Sequence, residues 1–334
     1  MRLGDTSPGD SKGNSTGEFP GTPPGRSQKA AGNPRWSDLT LRFASALVLL
    51  PLATVCVWLG GYAYSLLIAL ACLILGYEWL GMCGASTSDK AWFWFPIGLV
   101  AVTVSAGLGS PAGSLIALAI GILLAWAFPL RRAPGHERIP AKLPPATVQP
   151  AEGMTGNARP AVCIWDNKFN LVFGVPYIGL AALALPELRA DPEAGLANTL
   201  FILAIVWGSD IGAYLVGRLV GGPRLAPAIS PGKTWSGAVG GLVSAALAGL
   251  LVAACLSSGF SPSHVIGLAI VLGIISQAGD LLESALKRHF GVKDSGRIIP
   301  GHGGLLDRID ALLAVAPAAA LLAFSVGRGV VLWR

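Results

Sequence analysis

Long apolar runs, separated by shorter polar stretches, make up most of the chain. Nine such runs lie near residues 40–60, 62–82, 92–108, 112–130, 169–187, 198–217, 237–257, 264–283 and 309–327. A helix needs about 20 apolar residues to cross a hydrocarbon core of roughly 30 Å, and these runs approach or reach that length. The pattern therefore predicts an all-α polytopic membrane protein with about nine transmembrane helices.

Two polar segments interrupt this pattern. Residues 1–38 are rich in Gly, Pro and Ser and contain no apolar run, which predicts a disordered N-terminal extension and not a signal peptide. Residues 131–168 are polar and proline-rich, which predicts a long surface loop. We therefore expect one membrane-embedded domain over 39–334.

The charge content agrees with a membrane protein and predicts its orientation. Only 13% of the residues are charged, against roughly 25% in soluble domains. If the N-terminus is cytoplasmic, 21 of the 24 Lys and Arg residues lie in inner segments, and Arg189, Arg328 and Arg334 lie outside. This positive-inside bias predicts a cytoplasmic N-terminus and an external C-terminus. The net charge of +6 then faces an anionic lipid surface, and nucleic acid is not expected as a partner.

Ionisable residues are concentrated at the end of the eighth run. Asp280, Ser284, Lys287 and Arg288 project to one side of a helix through i+3 and i+4 spacings, and Glu283 on the flank can pair with Lys287. Asp280 still lies within the apolar run, where an ionisable group is expensive and marks a functional candidate. A carboxylate followed by a Lys-Arg pair can hold a metal at one end and phosphate oxygens at the other.

A glycine-rich turn follows and leads into the last run. His302 lies within this turn, where contact with a ligand and hydrogen bonding within the loop are equally open. Asp307 and Asp310 are spaced i, i+3 at the predicted N-terminus of the last helix, so both carboxylates face one way. Oxygen-only ligands suit Mg²⁺ better than zinc. Charges that flank a span are usually interfacial anchors, but their density here predicts a site.

The sixth run carries a second polar face. Asp210, Tyr214 and Arg218 follow a spacing of three to four residues, and Asp210 lies inside the apolar segment. This pattern predicts that the face borders a polar cavity. A purely structural pairing of Asp210 with Arg218 or Tyr214 is the alternative.

The stretch ISPGKTWSG invites comparison with a nucleotide-binding P-loop. That motif requires a glycine where this chain has Pro227, and no strand precedes the stretch. The P-loop interpretation therefore fails. Lys233 remains a candidate phosphate ligand in a loop that leads into the seventh run.

These motifs together resemble a known family. The run from Ser284 to Asp310, which contains SALKR, KD and PGHGGLLDRID, is similar to the signature of phosphatidate cytidylyltransferases, also called CDP-diacylglycerol synthases. The upstream stretches SDIGAY and SPGKTW resemble that family's further motifs, and the resemblance covers about residues 165–330. Members usually read SPKKTWEG, whereas this chain has Gly232 and Ser236 at two of those positions.

The resemblance implies Mg²⁺-dependent transfer of a cytidylyl group from CTP to phosphatidic acid, in the bacterial inner membrane with the active site facing the cytoplasm. The catalytic portion of the domain would lie within 198–310. A second, monovalent cation and a homodimer are left open. Asp280, Asp307 and Asp310 are implied as metal ligands, and Asp210, Tyr214 and Arg218 would shape the substrate cavity. The implied phosphate ligands are Lys287, Arg288 and Lys293, with Ser284 in support.

Two other classes of protein compete with this assignment. Other membrane transferases, such as intramembrane prenyltransferases and CDP-alcohol phosphotransferases, also use aspartates and Mg²⁺, but their longer or paired aspartate motifs are absent from the sequence. An ion-coupled transporter could use Asp210 and Asp280 as a relay. It would be expected to show two related halves, and the sequence has no visible repeat.

Overall fold

The computed structural model describes residues 34–131, 167–257, 259–296, 298 and 303–334, with the side chains of 34–46, 167 and 168 outside the description. Nine helices occur in these ranges: α1 (Pro34–Leu59), α2 (Gly61–Met82), α3 (Ala91–Gly107), α4 (Pro111–Ala127), α5 (Asn167–Arg189), α6 (Gly195–Val220), α7 (Trp235–Leu256), α8 (Pro262–His289) and α9 (Leu306–Val326). An antiparallel hairpin of β1 (Arg224–Ala226) and β2 (Ser230–Thr234) separates α6 from α7.

Each predicted apolar run lies on one of the helices, which confirms the helical membrane architecture. Six helices, α2 and α5–α9, are long and apolar enough to cross a membrane. The other three, α3, α4 and the apolar part of α1 (Leu47–Leu59), are shorter. The count of nine spans and the sides on which the termini lie therefore stay predictions. Residues 1–33 of the predicted extension (1–38) and residues 132–166 of the predicted loop (131–168) lie outside the described residues. Residues 34–38 of the predicted extension are helical and begin α1.

The hairpin was not predicted, because its five-residue second strand contains Pro231 and Gly232 and shows no apolar alternation. Its second strand ends at Thr234, whose Oγ1 accepts a hydrogen bond from the N–H of Gly237 at 3.1 Å and so caps α7. The hairpin is thus continuous with the start of a membrane helix, which holds Lys233 at a helix end.

Small residues let α6, α7 and α8 pack closely. A Cβ atom on Gly212 would lie 2.8 Å from the carbonyl oxygen of Gly240, so the two backbones can meet only without a side chain. The amide of Gln277 donates to the carbonyl of Ala238 at 3.0 Å, which ties α8 to α7. These contacts fix α8 against the helix that follows the hairpin.

The opposite end of the bundle is closed by the C-terminal tail. Asp191, between α5 and α6, accepts hydrogen bonds from the N–H groups of Ala194 at 2.9 Å and Gly329 at 2.7 Å. Partial burial acts to raise the pKa of Asp191, but these donors hold that pKa below its ordinary value. Trp333 is buried and packs against Phe201, with ring centroids 4.6 Å apart. The tail thus anchors the end of the bundle that carries Asp191.

Candidate active site

Three carboxylates converge where α8 packs against α9. One oxygen each from Asp280, Glu283 and Asp310 lies within 4.8 Å of the others, and we call this group the acidic cluster. Gly279 permits the approach, because a Cβ there would lie 2.7 Å from the Cβ of Ala314 on α9. At metal–oxygen bond lengths of ~2.1 Å, oxygens around an octahedral Mg²⁺ lie about 3.0 Å apart when adjacent and about 4.2 Å apart when opposite. The three carboxylates would therefore have to move closer together to share such an ion.

Two buried polar atoms at the acidic cluster have no hydrogen-bond partner among the described residues. Glu283 is 1% exposed, and its Oε1 makes no hydrogen bond to any described residue. The hydroxyl of Tyr177 on α5 is also buried, has no described partner and lies within electrostatic range of all three carboxylates. Buried polar atoms are rarely left unsatisfied without a functional reason. The donor set and its unsatisfied atoms thus suit a hard cation with bound water.

Two lysines contact the carboxylates. Lys233 Nζ lies 2.5 Å from Asp280 Oδ2, and Lys287 Nζ lies 2.7 Å from Glu283 Oε2. Lys287 also lies 2.8 Å from Asp307 Oδ1, so it bridges α8 and α9. The pairing of Lys287 with Glu283 that the sequence predicted is therefore found. Both lysines therefore place positive charge directly against the acidic cluster.

Asp307 is held differently from the other predicted metal ligands. Its Oδ2 accepts hydrogen bonds from the N–H groups of Ser295 at 3.1 Å and Gly304 at 3.3 Å, and its Oδ1 meets Lys287. The acidic cluster contains Glu283 and not Asp307. In this arrangement Asp307 organises the loop that precedes α9, and its role as a metal ligand stays a prediction.

Glu78, which the sequence analysis did not single out, binds the backbone at the start of α9. Glu78, near the end of α2, is 3% exposed, and its two carboxylate oxygens accept hydrogen bonds from the N–H groups of Leu305 and Leu306, each at 2.8 Å. The hydroxyl of Ser295 donates to the same carboxylate at 3.3 Å. The available signal was a lone acidic residue inside an apolar run, which by itself marks a functional candidate.

Aromatic packing joins the same end of α2 to the acidic cluster. The ring of Trp79 lies 5.6 Å from the rings of both Tyr177 and Phe290, measured between centroids. Its indole N–H donates to the carbonyl of Asn170 at 3.2 Å. The C-terminal end of α2 therefore packs directly against the site.

The remaining predicted substrate ligands lie at the periphery. Asp210 is exposed and within electrostatic range of Asp280 and Lys233. Tyr214 is 62% exposed, and its hydroxyl accepts a hydrogen bond from the guanidinium of Arg218 at 2.7 Å. The pair on this face is thus Tyr214 with Arg218, whereas the alternative considered from the sequence was a pairing of Asp210 with one of these two residues.

The predicted phosphate ligands that follow Asp280, other than Lys287, also lie outside the acidic cluster. Arg288 and Lys293 are exposed, and Ser284 is half-buried. The guanidinium of Arg288 donates to the carbonyl of Ile229 in the hairpin at 3.4 Å. His302 lies outside the described residues. Of the predicted site residues, the structure brings Asp280, Asp310, Lys233 and Lys287 together. Arg288, Lys293 and Ser284 lie around this group.

An apolar cavity of about 600 Å³ lies beside the site. The residues that line the cavity include Arg308 in the first turn of α9, Val57 in the last turn of α1 and Trp207 of α6. Arg308 is its charged lining residue, at the end nearer Asp307. The cavity has the volume of a small-molecule site and the apolar surface expected for hydrocarbon.

The chain as a whole matches a known protein family. A family model described as the cytidylyltransferase family matches residues 40–326, which is most of the chain. This chain belongs to the cytidylyltransferase family. The resemblance predicted from residues 284–310 is confirmed, and it extends beyond 165–330 into the helices that carry Glu78 and Trp79.

Curated relatives of this cytidylyltransferase are named phosphatidate cytidylyltransferase. The protein of Brucella suis biovar 1 (strain 1330) is 36% identical over 285 residues, which cover 84% of this chain and 91% of that protein. The protein of Brucella abortus (strain 2308) matches to the same extent. The protein of Staphylococcus saprophyticus is 42% identical over 161 residues, or 48% of this chain and 60% of its own.

The cytidylyltransferase departs from the usual motif in its hairpin, and the structure shows what occupies those positions. The carbonyl of Gly232 accepts a hydrogen bond from the guanidinium of Arg224 on β1 at 3.2 Å. Ser236 donates its hydroxyl hydrogen to the carbonyl of Gly221. Arg224 therefore supplies a positive charge beside the position at which a second lysine is usual.

Proposed function

We propose that this cytidylyltransferase transfers the cytidylyl group of CTP to phosphatidic acid, forming CDP-diacylglycerol and releasing pyrophosphate. The observation that carries the proposal is the contact of Lys233 and Lys287 with the acidic cluster. Carboxylates for a metal, with cations for phosphate beside them, are what a transfer between two phosphorylated substrates requires. The names of the relatives supply the lipid substrate.

The reaction needs no nucleophile from the protein. A phosphate oxygen of phosphatidic acid attacks the α-phosphorus of CTP, a new phosphoanhydride bond forms, and the bond between the α-phosphorus and the bridging oxygen to the β-phosphorus breaks. That bridging oxygen leaves with its electron pair as part of pyrophosphate. The task of the protein is to align two polyanions and to offset their charge.

The metal implied by the family is Mg²⁺, and the residues present suit it. Asp280, Glu283 and Asp310 would hold the ion, with Asp307 as the further predicted ligand. When bound, Mg²⁺ neutralises charge that develops on the phosphate oxygens. Lys233 and Lys287 would each exchange a carboxylate partner for a substrate phosphate.

The lipid substrate accounts for the position of the site at the ends of membrane helices. The apolar cavity beside α9 offers space for an acyl chain, and Arg308 at one end of it suits a phosphate headgroup. Arg288 and Lys293, both exposed, add positive charge on the polar side, where CTP would arrive.

The cytoplasmic orientation is part of the proposal. The excess of Lys and Arg in the segments on the site's side supports an active site that faces the cytoplasm, where CTP is available. The relatives are bacterial, which supports the inner membrane as its location. A homodimer remains an open part of the proposal.

The test is a reconstituted reaction. Detergent-solubilised protein is incubated with labelled CTP, phosphatidic acid and Mg²⁺, and the labelled lipid product and pyrophosphate are measured. We expect equimolar products that require both substrates and disappear with EDTA. Folded protein that makes no labelled lipid from several phosphatidic acids would overturn the proposal.

A further inference from the structure

Glu78 connects two parts of the chain that are far apart in sequence. It lies in the last two turns of α2, and the backbone groups that it binds, Leu305 N–H and Leu306 N–H, begin α9 more than 200 residues later. A buried carboxylate is costly unless donors satisfy it. Here three donors do so, which makes the contact a specific one.

Two glycines that precede α9, Gly296 and Gly304, pack closely against this carboxylate. A Cβ atom on Gly296 would lie 2.7 Å from Glu78 Oε1, and one on Gly304 would lie 3.1 Å from it. The backbone at these two positions therefore lies so close to Glu78 that a side chain would have little or no room. The same segment holds Asp307 through the N–H groups of Ser295 and Gly304.

Glu78 also serves as the cap that α9 lacks in its own sequence. Leu305 occupies the N-cap position and has no side-chain oxygen to accept from the first N–H groups. A carboxylate at this end of a helix is favoured by the helix dipole. One turn after this cap comes Asp310 of the acidic cluster.

We propose that Glu78 is a positioning residue: it holds the first turn of α9 so that Asp310 meets Asp280 and Glu283, and Asp307 meets Lys287. This inference rests on the proposed function of the same site. Both oxygens of Glu78 are occupied by backbone donors, so it acts through Asp307 and Asp310 and does not contact the metal. Metal affinity then depends on a residue of the N-terminal half.

The substitution Glu78→Gln tests the positioning role while it keeps the volume of the side chain. A carboxamide fills the same volume but has one oxygen, so its nitrogen must face an N–H group that Glu78 now satisfies. Asp191→Asn is the matched control, because Asp191 also accepts N–H groups at a helix start, at the other end of the bundle. Glu78→Asp keeps the charge with a shorter reach.

The measurements are Mn²⁺ binding by electron paramagnetic resonance, the melting temperature in detergent, and kcat and KM for CTP. For Glu78→Gln we expect about tenfold weaker Mn²⁺ binding and about tenfold lower kcat, because residues that orient ligands typically have effects of this size. KM for CTP should change less than kcat. Glu78→Asp should recover part of both losses, and Asp191→Asn should lower the melting temperature alone.

Other outcomes separate this inference from the proposed function. Wild-type Mn²⁺ affinity and kcat in Glu78→Gln, or equal losses in Asp191→Asn, would overturn the positioning role. Weaker Mn²⁺ binding in Glu78→Gln, with no cytidylyl transfer by the wild-type protein, would keep the positioning role and overturn the proposed reaction. If Glu78→Gln does not fold, Gly296→Ala, which pushes the loop away from an intact Glu78, undergoes the same measurements with the same criteria.

Discussion

Lys233 contacts Asp280 across 2.5 Å, although Lys233 lies in the second strand of the hairpin and Asp280 lies inside α8. The contact orients the hairpin toward the acidic cluster. A cation on Asp280 would weaken this pair and free the ammonium for a phosphate oxygen. In the proposed function, Lys233 offsets the charge of Asp280 before substrates bind and would offset the charge of a substrate phosphate afterwards.

Lys233→Ala should impair substrate binding more than folding. A hydrogen bond between charged groups contributes roughly 1.5–3 kcal/mol, so we expect KM for CTP or phosphatidic acid to rise roughly tenfold or more. Initial rates measured over both substrate concentrations will show which substrate the lysine binds. Lys90→Ala, which removes an exposed lysine at the start of α3, is the charge-matched control. An unchanged kinetic profile for Lys233→Ala would reduce this lysine to a structural anchor.

The carboxylates should separate into two functional groups. Asp310→Asn and Glu283→Gln each remove an oxygen charge from the acidic cluster, so we expect both to abolish Mn²⁺ binding together with CTP turnover. Asp307→Asn leaves the cluster intact but disturbs Lys287 and the loop, so turnover should be lost while measurable Mn²⁺ binding remains. Equal loss of ion binding in all three variants would instead make Asp307 a ligand, as the sequence resemblance implied.

The sequence predicted the helices well because each depends on a long local pattern. The apolar runs and the spacing of Asp280, Lys287 and Arg288 are local, and all three residues lie on α8 as expected. The fold class and the family followed from such features. The hairpin was missed because its five-residue second strand contains Pro231 and Gly232 and has no apolar alternation.

The composition of the site was harder to predict because it depends on contacts between distant segments. Glu283 and Asp307 both lie near Lys287, and the sequence does not say which of them shares the acidic cluster with Asp310. Only the three-dimensional structure shows that Glu283, and not Asp307, lies in the acidic cluster. Glu78 was missed for the same reason, since its partners are backbone groups far along the chain.

Tyr177→Phe tests whether the unsatisfied hydroxyl beside the acidic cluster has a role in binding. The phenol oxygen has no described partner, so its removal should leave the melting temperature unchanged or slightly raised. If the hydroxyl donates to water or phosphate at the bound metal, kcat should fall by about tenfold. Tyr62→Phe, which alters an exposed tyrosine of α2, is the control. Wild-type kcat in Tyr177→Phe would show that the hydroxyl has no catalytic contact.

Gly279→Ala should separate the two helices that build the acidic cluster. The new methyl group would start 2.7 Å from the Cβ of Ala314 and 3.3 Å from the carbonyl of Asp310, so α8 and α9 must move apart. Overpacking of this kind costs about 1–3 kcal/mol of unfolding free energy, and the displacement should also weaken Mn²⁺ binding.

Gly267→Ala is the matched control for this effect, because Gly267 lies on the same helix and a Cβ there would have no neighbour within 4 Å. That change should leave ion binding intact and raise helix stability slightly, since alanine favours a helix by about 1 kcal/mol over glycine. The two variants are compared by melting temperature and Mn²⁺ affinity. A loss of ion affinity confined to Gly279→Ala would tie metal binding to the approach of α8 and α9, whereas unchanged affinity would mean that the carboxylates can hold the ion without this contact.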